Sequence, residues 1–239
     1  MTPGIIVNDL SLAFAGKTVF SNLNFTVAGG SFVSLLGASG VGKTSLLRVI
    51  AGLTAPTAGT VMGSDGQPIV KRIAWMGQKD LLYPWLNVID NVTVGARLRG
   101  EKADRQWAEH LLERVGLANL HHARPATLSG GMRQRAAIAR TLYERRPVVL
   151  MDEPFSSLDA ITRAAVQELA VELLAQHTVL LITHDPAEAC RLSHRLLVLS
   201  TSGLNEVLLS ADELPRSLDN PALLQSQAAL MQQLTETTR

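Results

Sequence analysis

The stretch Gly37-Ala38-Ser39-Gly40-Val41-Gly42-Lys43-Thr44 matches the pattern G-x-x-x-x-G-K-[ST] at every fixed position. The apolar run 31–36 precedes it and predicts a buried strand, and residues 43–51 have helical character that stops at Gly52. A strand, a glycine-rich loop and a helix in this order favour a phosphate-binding loop over a chance glycine-rich turn. Its backbone N–H groups and the start of the helix are suited to phosphate oxygens.

Two side chains of this loop have separate expected roles. Lys43 is expected to reach the β- and γ-phosphates of a nucleoside triphosphate, and Thr44 to place its hydroxyl on Mg²⁺. The loop residues expected to bind nucleotide are Gly37, Ala38, Ser39, Gly40, Val41, Gly42, Lys43, Thr44 and Ser45.

An acidic pair, Asp152 and Glu153, follows the apolar residues 148–151. A buried strand that ends in two acids is costly unless those acids meet a cation. We expect Asp152 to orient Mg²⁺ and Glu153 to activate an attacking water as a general base. The alternative is a structural carboxylate pair, and the phosphate loop earlier in the chain disfavours it.

A second anion site is predicted at Leu128-Ser129-Gly130-Gly131-Met132, where a helix over residues 130–144 begins. A hydroxyl, free N–H groups and the positive end of a helix dipole coincide there. Because the chain already has a phosphate site, this second one makes sense if it serves the nucleotide of another copy. An ordinary capped helix is the alternative for these five residues taken alone.

The phosphate loop, the Leu-Ser-Gly-Gly segment and the acidic pair, in this order, resemble the ATP-binding subunit of an ABC transporter. The resemblance reaches to about residue 210 and implies that residues 1–239 form one ABC ATP-binding domain. The implied fold is an α/β P-loop NTPase of the RecA type. The implied cofactors are ATP and Mg²⁺. The implied partners are a second copy, a membrane permease and, indirectly, a periplasmic or extracellular solute-binding protein.

The same resemblance assigns roles to residues that carry little information alone. His184 corresponds to the switch histidine that contacts the γ-phosphate, and its place after a predicted parallel strand supports this. Gln78 corresponds to the glutamine that touches magnesium and water. The implied catalytic residues are therefore Glu153, His184 and Gln78, and the implied magnesium ligands are Thr44, Gln78 and Asp152.

Three further positions carry an open alternative or a departure from the family pattern. Ser157-Leu158-Asp159 resembles the loop that crosses the dimer interface, although Asp159 could equally be a helix N-cap. Phe14 matches the aromatic residue that stacks on adenine, where the family usually has Tyr; a plain core phenylalanine is the alternative. Met132 replaces the Gln that commonly ends the signature, but the expected phosphate contacts come from Ser129 and Gly131.

Apolar patterning predicts how the chain is organised. Runs at 5–7, 10–14 and 23–27, with a hairpin turn at Gly16-Lys17, predict an N-terminal antiparallel β-subdomain, and residues 59–76 more β-structure. Strands at 148–151 and 178–183 alternate with helices at 104–115, 130–144 and 159–176, which implies a mostly parallel sheet with helices on both faces. Residues 85–145 are expected to form a helical subdomain. In the tail 211–239, an amphipathic helix is predicted from the spacing of Leu223, Leu230 and Leu234.

Composition excludes some classes of protein. A net charge of +1 gives no reason to expect nucleic-acid binding. No stretch approaches the roughly 18 to 20 apolar residues of a membrane span, and no signal peptide is recognisable. A membrane role must therefore come through a partner, and the resemblance implies a peripheral location on the cytoplasmic face of the inner membrane. Cys190 and Trp107 are expected to pack, and His121-His122 to form a surface turn.

The segment Leu81-Leu82-Tyr83-Pro84-Trp85 is similar to the Leu-Leu-Pro-Trp stretch of the nitrate, sulfonate, taurine and pyrimidine importers. With residues 97–100 and 183–189, it resembles the subunit proposed to serve uptake of the thiamine precursor hydroxymethylpyrimidine. Nitrate, taurine and aliphatic sulfonate remain alternatives, because such an ATPase does not touch the solute. A soluble ABC-type ATPase acting on nucleic acid or ribosomes is the alternative from another class. Tyr83, Pro84 and Trp85 are expected to dock the permease; the alternative is that Trp85 caps the helical subdomain's own core.

Overall fold

The computed structural model describes residues 1–209 and 212–237, so residues 211, 238 and 239 of the predicted tail lie outside it. The strands are β1 (Ile5–Phe14), β2 (Lys17–Val27), β3 (Phe32–Gly37), β4 (Ala58–Gly63), β5 (Ile73–Met76), β6 (Val148–Asp152), β7 (Thr178–Ile182), β8 (Arg195–Ser200) and β9 (Gly203–Leu208). The helices are α1 (Lys43–Ile50), α2 (Val88–Val92), α3 (Val94–Leu98), α4 (Arg105–Arg114), α5 (Gly130–Tyr143), α6 (Ala160–Leu174), α7 (Pro186–Leu192) and α8 (Pro221–Thr237).

The larger sheet has six strands in the order β5-β6-β7-β3-β8-β9. Its neighbours are parallel except for β8 and β9, which pair antiparallel. Every residue of β6 and β7 is buried, because helices cover the sheet on both faces. The predicted mostly parallel α/β fold is confirmed. Strands β8 and β9 were not predicted, although the apolar run 196–199 offered a signal for β8.

The smaller sheet is antiparallel, in the order β2-β1-β4. The predicted hairpin turn at Gly16-Lys17 is wrong by one residue, since Phe14 pairs with Lys17 and the turn is Ala15-Gly16. Both turn residues have positive φ, 47° and 79°, as a two-residue hairpin of type I′ requires. The predicted β-region 59–76 also divides: β4 joins this sheet, whereas β5 is an edge strand of the larger one.

The predicted helices are found within two residues of their expected ends, as α4, α5 and α6. Helices α2 to α5 all fall inside the region 85–145 and share one apolar core with one face of the large sheet. Trp107 is only partly buried, with the Arg145 guanidinium 4.4 Å from its ring centre, so its expected core position is corrected to the edge of the core. The turn at His121-His122 is confirmed, and Cys190 is buried on α7.

The tail forms helix α8, which packs its buried Leu223 and Leu230 against Cys190 on α7 and Leu196 on β8. Leu224 points outward and is 53% exposed, which confirms the amphipathic pattern. The side chain of Leu234 lies outside the described part. Among the residues that the structure describes, no helix combines the length and apolarity needed to cross a membrane.

Candidate nucleotide-binding site

The phosphate loop connects β3 to α1, with Gly37 ending the strand and Lys43 beginning the helix. Gly40 and Gly42 have φ angles of 79° and 109°, in the left-handed region that favours glycine. A Cβ on Gly42 would also lie 2.7 Å from Cγ1 of Val19. Because Gly42 is the N-cap of α1 and makes no side-chain cap, the first N–H groups of the helix stay available to an anion.

The Lys43 ammonium folds back over the loop. Its Nζ donates to the carbonyl oxygens of Gly37 at 2.8 Å and Ala38 at 2.9 Å. Burial lowers the pKa of Lys43, while Glu153 and Asp152 act in the opposite direction. The ammonium is therefore partly desolvated and held at the loop by two neutral acceptors, which phosphate oxygens can replace with stronger charge-assisted bonds.

Thr44 and Asp152 meet at the start of α1. Thr44 Oγ1 donates to Asp152 Oδ2 at 2.7 Å, and Asp152 is the buried last residue of β6. Burial raises the pKa of Asp152, and the bond from Thr44 counteracts part of that rise. A hydroxyl and a buried carboxylate are the oxygen ligands that Mg²⁺ prefers, and a cation would offset the cost of burying the charge. These residues fit a magnesium site.

Three side chains expected to be catalytic lie together at Glu153. Gln78 Nε2 donates to Glu153 Oε2 at 3.3 Å, and His184 Nδ1 lies 3.2 Å from Glu153 Oε1. They follow β5, β6 and β7, which are neighbours in the sheet, so their carboxyl ends reach the same edge. The His184 side chain is 65% exposed, which leaves this edge open to a ligand.

Glu153 has an unusual backbone. Its φ is 51°, a conformation that non-glycine residues seldom adopt, and its N–H donates to Ile182 O at 2.9 Å. The bond to β7 fixes the residue at the point where it leaves the sheet. Backbone strain of this kind is concentrated at functional sites, where surrounding structure holds it in place.

The predicted second anion site lies at the exposed start of α5. Ser129 is the N-cap, and its Oγ accepts from the Met132 N–H at 3.2 Å. The Ser129 N–H in turn donates to Met132 Sδ at 3.4 Å, so methionine takes the place of the Glu or Gln of a capping box. Within one chain, these two bonds are those of an ordinary capped helix. Ser129 and Gly130 remain exposed.

The loop Ser157-Leu158-Asp159 lies against this helix start. A Cβ on Gly131 would be 3.3 Å from Ser157 O and 3.6 Å from Leu158 Cδ2. Asp159 caps α6 by accepting from the Thr162 N–H at 3.0 Å. Hydrogen bonds from Thr162 hold the pKa of Asp159 below its usual range. The N-cap interpretation of Asp159 is confirmed, and the loop lies beside the predicted second anion site.

Phe14 ends β1 with 53% of its surface exposed, so the alternative of a core phenylalanine is wrong.

The sequence analysis gave no role to the buried Gln134, whose Nε2 donates to Pro154 O at 2.8 Å and more weakly to Glu153 O at 3.4 Å. It ties α5 to the acidic pair. Gln134 shares a helical face with the apolar Ile138 and Leu142, and a polar group on that face was the available signal.

A sequence profile described as ABC transporter matches residues 20–156, more than half of the chain. The chain belongs to the ABC transporter family. It is 47% identical over 235 residues to an uncharacterized ABC transporter ATP-binding protein of Haemophilus influenzae, covering 95% of this chain and 97% of that one. It is also 45% identical over 215 residues to the aliphatic sulfonates import ATP-binding protein SsuB 1 of Rhodococcus jostii, covering 89% and 86% of the two chains.

Solved structures agree with this ABC transporter assignment. The dimeric post-hydrolysis state of the ATP-binding cassette MJ0796, bound to ADP and Pi, has a TM-score of 0.78 and 28% sequence identity. The match covers 87% of this chain and all of that one. The chain is thus a P-loop ATPase of the ABC transporter type, and the site assembled above is its expected ATP site.

Proposed function

We propose that this ABC transporter ATPase powers the import of an aliphatic sulfonate, as a homodimer bound to a membrane permease at the cytoplasmic face of the inner membrane. The observation that carries the catalytic part is the convergence of Gln78 and His184 on Glu153, beside the Thr44–Asp152 pair. A solute-binding protein would act on the permease and contact this chain only indirectly.

The choice of solute rests on relatives. Several chains 39 to 45% identical to this one are named aliphatic sulfonates import ATP-binding proteins, including those of Rhodococcus jostii and Shigella sonnei. These relatives favour an aliphatic sulfonate as the solute, whereas the sequence motifs alone favour the thiamine precursor. Nitrate and taurine have no comparable support among them.

In the proposed site, the backbone N–H groups of residues 38–42 hold the phosphates and Phe14 stacks on adenine. Lys43 exchanges the carbonyls of Gly37 and Ala38 for β- and γ-phosphate oxygens. Thr44, Asp152 and Gln78 would hold Mg²⁺, which neutralises phosphate charge when bound. Thr44 already bonds Asp152, so these two ligands are oriented before any cation binds.

Glu153 is the proposed general base. It accepts a proton from a water that attacks the γ-phosphorus in line with the leaving oxygen of ADP. Gln78 and His184 each approach a different oxygen of this carboxylate, and both can orient the water or a γ-phosphate oxygen. Gln134 fixes the backbone next to Glu153 through its hydrogen bond to Pro154 O.

The signature residues Leu128, Ser129, Gly130, Gly131 and Met132 are proposed to bind the ATP of the second copy. Ser129 and Gly130 are exposed at the start of α5, and the Ser157-Leu158-Asp159 loop lies beside them. A ligand from outside the chain can therefore reach them, and the dimeric MJ0796 cassette provides a precedent for a paired arrangement.

The permease is proposed to dock at Tyr83 and Trp85. Trp85 is 67% exposed, which argues against the alternative that it completes the helical core. The two rings lie 5.3 Å apart, and Asn91 anchors the Tyr83 backbone through both its N–H and its carbonyl. An open groove of about 320 Å³ beside them includes Trp75, Leu81 and Arg140 in its lining. Rigid exposed aromatic residues beside a groove suit a partner helix.

Growth on defined sulfur sources tests the proposal. A strain that lacks this chain should fail to grow with an alkanesulfonate as the sole sulfur source and should grow normally on sulfate. Wild-type chain should restore growth, whereas Glu153→Gln should not. A strain that instead requires added thiamine when supplied with hydroxymethylpyrimidine would point to the thiamine precursor. Unchanged growth in both conditions would rule out both solutes.

A further inference from the structure

Arg163, in the first turn of α6, lies between two segments that have functional roles in the proposal above. Its Nη2 donates to the carbonyl of Leu158 at 2.9 Å, and its Nη1 lies 3.8 Å from Asp185 Oδ2. Leu158 belongs to the proposed dimer loop, and Asp185 directly follows His184. One guanidinium thus connects both segments, which suits arginine because its planar fork presents several donors at fixed angles.

Each end of this connection is anchored. Leu158 is buried and lies against the α5 start at Gly131. Asp185 is the N-cap of α7, where it accepts from the Ala187 N–H at 2.9 Å, and its own N–H donates to Thr183 Oγ1 at 3.0 Å. A displacement of the dimer loop would therefore be passed to the backbone on either side of His184 and not be absorbed by a loose side chain.

The two contacts of Arg163 are unequal. The Leu158 contact is a full hydrogen bond, whereas 3.8 Å to Asp185 is an ion pair without a hydrogen bond. Its Nε is buried and has no hydrogen-bond partner among the described residues. The bonding of the guanidinium is thus incomplete in the single chain, and a small shift of the loop could complete it at Asp185.

We propose that Arg163 is a positioning residue that couples the place of the Ser157-Leu158-Asp159 loop to that of His184. A second copy that presses on this loop draws Arg163 onto Asp185, and His184 is thereby held in the contact that it already makes with Glu153. Arg163 acts through its contacts with Leu158 and Asp185 and is not itself assigned a role in binding nucleotide or water. The inference rests on the proposed roles of Glu153, His184 and the dimer loop.

A double-mutant cycle tests the coupling in the full chain. Arg163→Ala removes the fork, and Asp185→Asn removes the charge but keeps a side chain that caps a helix well. Each should lower the kcat for ATP by about 2- to 30-fold, the range of such couplings, while the KM for ATP stays within about 2-fold. Because both act through one contact, the double variant should be no slower than Arg163→Ala alone.

The matched control is Arg114→Ala. It removes the ion pair between α4 and α6, from Arg114 Nη2 to Glu172 Oε2 at 2.7 Å, and should leave kcat unchanged. A merely structural role of Arg163 predicts additive losses that follow the melting temperature. Additive losses, or wild-type kcat in either folded single variant, would overturn the coupling.

Glu153→Gln separates the two proposals. If Glu153→Gln is inactive while Arg163→Ala and Asp185→Asn keep wild-type kcat, the coupling fails and the proposed function survives. If Glu153→Gln itself retains wild-type kcat, the proposed function fails. Should Arg163→Ala not fold, Asp185→Asn alone decides, and a normal kcat in it contradicts the coupling.

Discussion

The two proposed anion sites of this chain differ in how far one chain completes them. In the proposed hydrolysis cluster, formed by Thr44, Gln78, Asp152, Glu153 and His184, Thr44 already bonds Asp152, and Gln78 and His184 already contact Glu153. At the α5 start, formed by residues 128–132, the hydroxyl of Ser129 accepts from the Met132 N–H in the first turn of its own helix, and Ser129 is exposed. The first site is organised in advance by the chain, whereas the second presents groups outward.

The difference has a topological cause. Members of the hydrolysis cluster follow neighbouring parallel strands, or begin the helix after β3, so the sheet brings them to one edge. The α5 start follows helices α2 to α4 in the chain, does not follow a strand directly, and lies at the surface. Changes in the cluster should therefore alter chemistry within one chain, and changes at the α5 start should alter association between chains.

The largest expected effect is on turnover. Glu153→Gln keeps the shape of the side chain but cannot accept the proton, so it should cut ATP turnover by roughly 10²–10⁴-fold. ATP binding should persist, and the variant should accumulate as a closed dimer because opening follows hydrolysis. Steady-state ATPase assays and size exclusion with ATP measure both. Activity within a few-fold of wild type would show that another residue is the base.

The second expected effect is on dimerisation, which a substitution at the α5 start should weaken. Ser129→Arg fills the exposed anion site with a bulky cation and should weaken ATP-dependent dimerisation by about 30-fold or more, the size of an interface hot spot. The monomer should still bind ATP, because its own phosphate loop is intact. Size exclusion with ATP gives the dimer fraction.

The matched control for this prediction is Ser202→Arg, at the exposed turn between β8 and β9. It adds the same side chain at a distant surface and should dimerise normally. In mixtures, a Lys43→Ala chain and a Ser129→Arg chain should form a heterodimer, because one composite site keeps both of its halves. Normal dimerisation of Ser129→Arg would contradict binding across the interface.

Sequence reasoning recovered what local motifs encode. The phosphate loop and the acidic pair Asp152-Glu153 could be predicted because each is a short pattern attached to a buried strand. That Gln78 and His184 meet at Glu153 depends on the strand order β5-β6-β7, which no local pattern contains. Arg163 was missed for the same reason, since its partners include Asp185, from a segment distant in sequence.

The third prediction concerns the exposed aromatic pair, an outward-facing surface distinct from the α5 start. Trp85→Ala and Tyr83→Ala should each lower solute uptake in cells by about tenfold, a typical loss for an interface anchor. Basal ATPase and melting temperature of the isolated subunit should stay near wild type, because Trp85 is 67% exposed. A core role would instead lower the stability of Trp85→Ala by about 3–5 kcal/mol.

Leu218→Ala is the control for the aromatic pair, because Leu218 is an apolar tail residue that is 62% exposed. It should leave uptake unchanged. Normal uptake with both Tyr83 and Trp85 replaced would rule out docking at this surface.

The smallest expected effect is on the pH dependence of stability, which the buried carboxyl of Glu188 should alter within a single chain. Glu188 on α7 is buried and accepts from Gln167 Nε2 at 2.9 Å, and Arg191 donates to Gln167. Burial raises the pKa of Glu188 from its ordinary 4.5 to about 7. Between these two values the folded state binds more protons than the unfolded state, so this group makes stability fall as pH rises from about 4.5 to about 7, and not beyond.

Glu188→Gln removes that dependence of stability on pH. Relative to wild type, its free energy of unfolding should gain about 2 kcal/mol between pH 5 and pH 8, measured by urea denaturation of the nucleotide-free monomer. Glu168→Gln is the control for the loss of a carboxylate beside Arg191, since Glu168 contacts the same Arg191 but is 60% exposed. A Glu188→Gln difference from wild type that is the same at pH 5 and pH 8 would mean that Glu188 is ionised in the folded chain across this range.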